Sequence, residues 1–420
     1  MTFQDTGARI AREDRLEKLA TVAVQVGLGL RPGQELVMTA PLDALPLARA
    51  ITEQAYRAGA SNVTTLYTDE LATLLRFTHA DDAAFDAAPA WLYEGMAAAY
   101  RAGAARLAIT GDDPSLLAGQ DAEKVARANR ARSKAYLPAL ELIAGFATNW
   151  TIVSAATPAW ARAVFPGEPD EVAVARLWDA IFAASRIEGD DPVAAWAAHN
   201  ADLRRRTEFL NAKRYRALRY RGPGTDLEVG LADEHEWHGG ATRAGNEIVC
   251  NANIPTEEVF TTPHRLRVSG TVTSTKPLAY QGTVIEEIQV RFEEGRIVEA
   301  ASRTGKAVLE KVLDTDEGAR RLGEVALVPH SSPISRSGLL FYNTLFDENA
   351  ASHIALGQAY SKCIRGGLAM GEDDLVAHGC NRSLIHIDWM IGSGEIAVDG
   401  VTADGVVEPL MRHGEWVSRS

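Results

Sequence analysis

Glu35-Leu-Val-Met-Thr39, set between the turn Arg31-Pro-Gly-Gln34 and a helical pattern from Asp43 to Ala58, decides the fold class. A short apolar run after a Pro-Gly turn reads as a strand, and apolar positions recurring at helical spacing beyond it read as a packed helix. Together with the apolar stretch Thr21–Leu30 before them, they make one α/β unit. Outward from it, Gly59-Ala-Ser61 closes the helix, Asn62–Tyr67 is expected as a second strand, and Arg106–Thr110 before Gly111-Asp-Asp-Pro114 as a third. Helical sequence fills Ala87–Gly103 and Asp121–Phe146. Trp150–Ser154 supplies another short strand, and Glu171–Lys213 returns to helix with a break near Gly189-Asp-Asp-Pro192. Strands alternating with helices imply a parallel sheet.

Near Arg214 the texture changes. Val-, Thr-, Ile- and Glu-rich alternation takes over in Asp226–Val229, Arg265–Thr273, Thr283–Phe292 and Arg296–Ser302, with a hairpin pattern from Glu286 to Ala300 around Glu294-Gly295. At 420 residues the chain exceeds the roughly 250–300 that one core usually supports. The fold class expected is therefore α/β: an N-terminal α/β domain with a mainly parallel sheet, residues 1–215, followed by a mixed α+β domain, residues 216–420.

Composition narrows the function. Hydrophobic residues make up 46% and charged residues 24%, a globular balance, and 43 Lys+Arg against 56 Asp+Glu give a net charge of −13. Such a surface argues against nucleic acid or an anionic membrane as the main partner. Cys250, Cys363 and Cys380 are too few for a disulfide framework and form no CxxC pair, so a reducing, cytoplasmic setting is expected. No apolar run reaches the roughly 18 residues of a spanning helix.

Four segments carry groups that could do chemistry. In Ser383-Leu-Ile-His386-Ile-Asp388-Trp-Met-Ile-Gly392, a strand-like run, His386 and Asp388 project from one face and could share an ion; a buried His held by a nearby Asp is the plain alternative. Asp347-Glu-Asn-Ala-Ala-Ser-His353-Ile-Ala-Leu-Gly-Gln-Ala-Tyr360 reads as a helix capped by Asp347 or Asn349, with His353 and Tyr360 on one face two turns apart. Pro255-Thr-Glu257-Glu258-Val-Phe-Thr-Thr-Pro263 places adjacent carboxylates in an apolar stretch, where a cation would relieve the cost of burying them; a capping box or solvated turn competes. Gly323-Glu324-Val-Ala-Leu-Val-Pro329 sets a carboxylate at the head of an apolar strand, a place usually solvated.

Taken together and in this order, these segments resemble the aminopeptidase T and aminopeptidase S family of bacterial metallo-aminopeptidases. The likeness spans most of the chain and is strongest from Asn253 to Gly392. It implies a metal-dependent aminopeptidase with a dinuclear site in the second domain: Glu258, Glu324, His353, His386 and Asp388 as ligands, and Tyr360 as a catalytic hydroxyl. It further implies two divalent ions per chain, zinc or cobalt with manganese or magnesium as substitutes, a peptide substrate with a free N-terminus, and a homodimer. Three carboxylates and two imidazoles suit two ions better than one. The same residues permit a second reading, a mononuclear Fe(II) ring-cleaving dioxygenase with a triad of His353, His386 and Asp388. Glu258, Glu324 and Tyr360 have no use in it.

Other signals are set aside. His235-Glu-Trp-His238 lacks the four-residue His spacing of a zincin helix and is expected to be a solvated turn. Gly27-Leu-Gly-Leu-Arg-Pro-Gly33 misses the dinucleotide fingerprint, with its third glycine late and a proline where the helix should open. Cys363 and Cys380 are read as small buried residues.

Overall fold

The computed structural model of the chain describes residues 3–280 and 283–417. Its contacts divide into two compact units: residues up to His199 with Ala241–Pro255, and Asn200–Gly240 with the chain from Thr256 onward. Where the sequence suggests one cut near residue 215, the stretch after Gly240 returns to the first unit. It does so by pairing: Ile152 N–H donates to the Ala252 carbonyl at 2.8 Å, and Ile254 N–H to the Ile152 carbonyl at 3.0 Å.

The first unit is built on a parallel sheet of β1 (Glu35–Pro41), β2 (Asn62–Thr68), β3 (Ala105–Thr110) and β4 (Trp150–Ser154), in the order β2-β1-β3-β4. Helices make the crossovers. Leu45–Arg57 buries Leu47, Ala48, Ile51 and Ala55, one stripe of the helix, and Pro46 starts it without losing a needed hydrogen bond. It ends as it must to feed β2. Gly59, at φ +91°, takes the left-handed conformation, and Ala60 N–H reaches back to the Ala55 carbonyl at 2.9 Å. Gly103 and Ala104 repeat that ending before β3. The apolar stretch Thr21–Leu30 is the end of a helix, Phe3–Val22, passing into a π-helical turn, Ala23–Leu28.

The second unit holds two large antiparallel sheets and a two-stranded antiparallel pair, Leu278–Tyr280 with Thr283–Ile285. The larger runs Arg296–Ala301, Gln289–Glu293, Pro263–Thr273, Thr225–Leu231, Ala217–Gly222, Ala397–Val401, Val407–Arg412, Glu415–Trp416. The expected hairpin at Glu294-Gly295 is present, with both residues at positive φ as a tight primed turn requires. The expected strand Thr283–Phe292 is split into Thr283–Ile285 and Gln289–Glu293. The smaller sheet, of β5 (Val259–Thr261), β6 (Leu322–Leu327), β7 (His353–Gly357) and β8 (His386–Met390), has the order β8-β7-β6-β5. One core joins the unit, with Tyr220, Val229, Val268 and Phe292 from the larger sheet and Val325, Ile354 and Trp389 from the smaller. Each such fully buried side chain stabilises by roughly 1.5–3 kcal/mol.

One expectation is overturned. The stretch from Asp347 to Tyr360 is not a helix: His353–Gly357 is an inner strand, every residue of it buried, pairing with β6 on one side and β8 on the other. Helical structure at its start is limited to the short Thr344–Asp347, capped by the Asn343 side chain rather than by Asp347 or Asn349, and the 3-10 turn Glu348–Ala350 that follows it. A strand covered on both faces loses its polar alternation, so its apolar run imitates a helix. His353 and Tyr360 consequently share no helix face; Tyr360 begins the loop after β7.

Candidate metal centre

The small sheet brings the expected donors together on one face. Glu324 on β6 lies opposite Ala355 on β7, and Ala355 opposite Asp388 on β8, so one row reads Glu324, Ala355, Asp388. The alanine methyl leaves that row open in its middle. His353 lies one step along β7, and His386 one step along β8 opposite Gly357. The alternate residues Val325, Ile354 and Trp389 enter the core, so period two alone sorts donors from core. Glu258 arrives from the residue before β5.

Its neighbour Glu257 does not join them. On an extended chain adjacent side chains diverge, and the Glu257 carboxylate acts electrostatically on Arg206. Asn349 fixes this segment: its Oδ1 accepts the Glu257 N–H at 2.7 Å, while its Nδ2 donates to the Leu345 carbonyl at 2.9 Å.

The donor atoms form two groups, Glu258–Glu324–His353 and Glu324–His386–Asp388. His353 Nε2 lies 3.2 Å from Glu258 Oε2, 3.6 Å from Glu324 Oε1 and 4.0 Å from Asp388 Oδ1. His386 Nε2 lies 3.6 Å from Glu324 Oε2 and 3.4 Å from Asp388 Oδ1. Glu324 thus turns one oxygen to each imidazole. The other ring nitrogens are occupied by backbone carbonyls, His353 Nδ1 with Ala351 at 3.1 Å and His386 Nδ1 with Gln358 at 2.8 Å. That arrangement fixes each Nε2 toward the centre.

Electrostatics make the cluster costly as it stands. Burial alone would depress both imidazoles, yet the facing carboxylates outweigh it. Glu258 and Glu324 push His353 well above its ordinary pKa, and Asp388 and Glu324 push His386 up to about 9. Burial, with the charges of Glu258 and Asp388, raises Glu324. Asp388 goes down, because the two imidazoles outweigh its burial. Glu258 Oε2 is buried and, despite its closeness to His353, makes no hydrogen bond of acceptable geometry. Three carboxylates and two imidazoles converging with a buried oxygen unsatisfied is the chemistry of a site for divalent cations.

Tyr360 stands beside it, its ring centroid 4.8 Å from that of His386. The residue is 42% exposed, yet burial of the hydroxyl and the charges of Glu324, Asp388, Glu348 and Glu258 hold its pKa well above normal. Glu348 was not singled out from the sequence, where it reads as part of a helix start. Burial, together with the charges of Glu258 and Asp388, raises its pKa strongly. The signal available was a second acid, beside Asp347, in the run Asp347-Glu348-Asn349. The segment His235–His238 is also corrected: it is no solvated turn, since Trp237 is buried and both histidines are half-buried.

The sequence matches the family described as thermophilic metalloprotease, M29, over residues 12–416. The chain belongs to that family. This metalloprotease is 56% identical to aminopeptidase T of Thermus thermophilus over 96% of its own length and 98% of the relative's. It is 46% identical to aminopeptidase 2 of Geobacillus stearothermophilus with the same coverage. The solved structure of wild-type AmpT from Thermus thermophilus superposes with a TM-score of 0.92 at 55% identity, covering 96% of this chain and 99% of that one. A metalloprotease needs a metal-binding constellation, and the donor cluster fits that need.

Proposed function

We propose that this metal-dependent aminopeptidase works through two divalent ions, Glu258, Glu324 and His353 holding one, and Glu324, His386 and Asp388 the other. The observation that carries the reading is Glu324, whose two oxygens face the two imidazoles separately, at 3.6 Å each. Bound there, divalent ions supply a hydroxide nucleophile at neutral pH, by lowering the pKa of water from about 15.7 toward roughly 7, and polarise the scissile carbonyl. The protein's own groups do the rest. Tyr360 donates its hydroxyl hydrogen to the oxyanion developing on the attacked carbonyl, a role its raised pKa suits because the proton stays on the phenol. The Glu348 carboxyl, beside the donors, is placed to relay a proton to the departing amine or to receive the substrate's free α-amino group. Zinc or cobalt is the metal, with manganese or magnesium as substitutes, and the substrate is a peptide with a free N-terminus. Resemblance to the family extends the proposal to a homodimer, and three buried free thiols fit a cytoplasmic setting.

The Fe(II) dioxygenase alternative is not favoured. It would leave Glu258 and Glu324 buried without a partner ion, and the relatives are named aminopeptidases. Release of leucine from leucine amide, followed as zinc, cobalt or manganese is returned to chelator-stripped protein, tests the proposal. Activity should return and saturate near two ions per chain; saturation at one ion with no amide cleaved would overturn it.

A further inference from the structure

His238 has no part in the donor cluster, yet it links two of the cluster's supports. Its backbone pairs with β5, the His238 N–H donating to the Phe260 carbonyl at 2.9 Å and the Phe260 N–H returning to the His238 carbonyl at 2.8 Å. That strand begins one residue after Glu258. The approach is close, since a Cβ on the next residue, Gly239, would lie 2.6 Å from the Glu258 carbonyl oxygen. Its side chain reaches the other way, with Nε2 2.7 Å from the carbonyl oxygen of Lys362. Only a protonated Nε2 makes a bond with a carbonyl, and burial, aided by the Lys362 charge, keeps the ring neutral, so this nitrogen carries the single hydrogen. Lys362 lies in the tight turn after Tyr360, where Cys363 N–H donates to the Tyr360 carbonyl at 3.0 Å and Glu236 N–H to the Cys363 carbonyl at 2.8 Å.

The rings make the same connection a second time. His238, Phe260, Tyr360 and His386 follow one another at centroid separations of 6.4, 6.2 and 4.8 Å. The Lys362 ammonium sits 4.8 Å from the Phe260 centroid and 5.8 Å from that of Tyr360, an attractive cation–π arrangement. We propose that His238 is a positioning residue for Tyr360: by holding the Lys362 carbonyl and backing Phe260, it fixes where the phenol stands over the donor cluster. The inference rests on Tyr360 being the catalytic hydroxyl.

Gln and Asn separate a hydrogen bond from mere filling, because Gln Nε2 is as many bonds from Cβ as His Nε2, whereas Asn Nδ2 falls short. In cobalt-loaded protein, His238→Ala and His238→Asn should lower kcat on leucine amide roughly ten- to a hundredfold, the scale of a displaced catalytic group, with KM and bound cobalt unchanged. His238→Gln should restore most of it. Amide hydrogen exchange on metal-free protein supplies a readout independent of turnover: the Cys363 and Ile364 amides should exchange faster in the Ala and Asn variants and at the normal rate in Gln. Overturning results are equal loss in all three variants, which reduces His238 to packing, or no change in any. Should Tyr360→Phe keep full turnover while the exchange pattern holds, the catalytic reading of Tyr360 fails and the anchoring of its loop stands.

Discussion

At the scale of single residues, the centre is defined by which atoms are left to face it. The Nδ1 atoms of His353 and His386 are held by backbone carbonyls, so both Nε2 atoms are committed to the cluster, and in the metal-free protein they carry protons. Metal can bind only by expelling them. Affinity for zinc should therefore rise with pH through neutrality until about pH 9, where His386 titrates, by roughly tenfold per unit for each proton released. Calorimetric titration in buffers of different ionisation enthalpy counts those protons, and none released at pH 7 would remove the imidazoles from the donor set. The same shifts fix the sign for folding: a histidine pKa raised from about 6.5 contributes stability that is full below that value and lost as pH rises toward 9. Tyr360→Phe should lower turnover about a hundredfold with bound metal retained, the usual loss on removing one oxyanion donor. Unchanged turnover with full metal would take Tyr360 out of the chemistry.

At the scale of elements, β7 matters most, since it presents His353 and lies between the strands that present Glu324 and Asp388. It ends at Gly357, where φ is +99° and a Cβ would lie 2.1 Å from the Ile385 carbonyl oxygen, just before His386. Gly357→Ala should cost about 2–3 kcal/mol in chemical unfolding and weaken metal binding, because relief of the clash must move the start of β8. Wild-type stability in that variant would show the backbone there to be pliant. This strand was also the hardest to read from sequence. β1 to β4 stand between turns and crossover helices and are legible one by one, whereas His353-Ile-Ala-Leu-Gly357 is covered on both faces and carries no polar alternation. The His386–Asp388 pair was legible because one strand suffices to align it. That Glu258, Glu324 and His353 meet came from the family resemblance and not from local pattern, since strand register sets it and pairing partners leave no local trace. Glu348 escaped notice because an acid beside Asn and Asp looks like a helix start until burial is known.

At the scale of the whole molecule, the donors belong to one of two compact units, and the parallel sheet of the other supplies none of them. Stripping the metal should therefore act unevenly. Ion at a hundred times its dissociation constant stabilises the state that binds it by about 2.7 kcal/mol, so chelation should speed exchange of protected amides in β6, β7 and β8 up to about a hundredfold. The amides of β1 to β4 should keep their rates, and equal acceleration throughout would show the two units to open together. The row Glu324, Ala355, Asp388 has a consequence for the order of events in folding. Its members come from distant parts of the chain and meet only when β6, β7 and β8 have paired, contacts of long sequence separation that form late and slowly. No single strand of the sheet offers an ion more than two ligands, so metal cannot serve as a nucleus before strands have paired. The core behind the row must gather the acids against their own repulsion, and a cell starved of metal would store a finished but silent enzyme, one that wakes on resupply without having to refold.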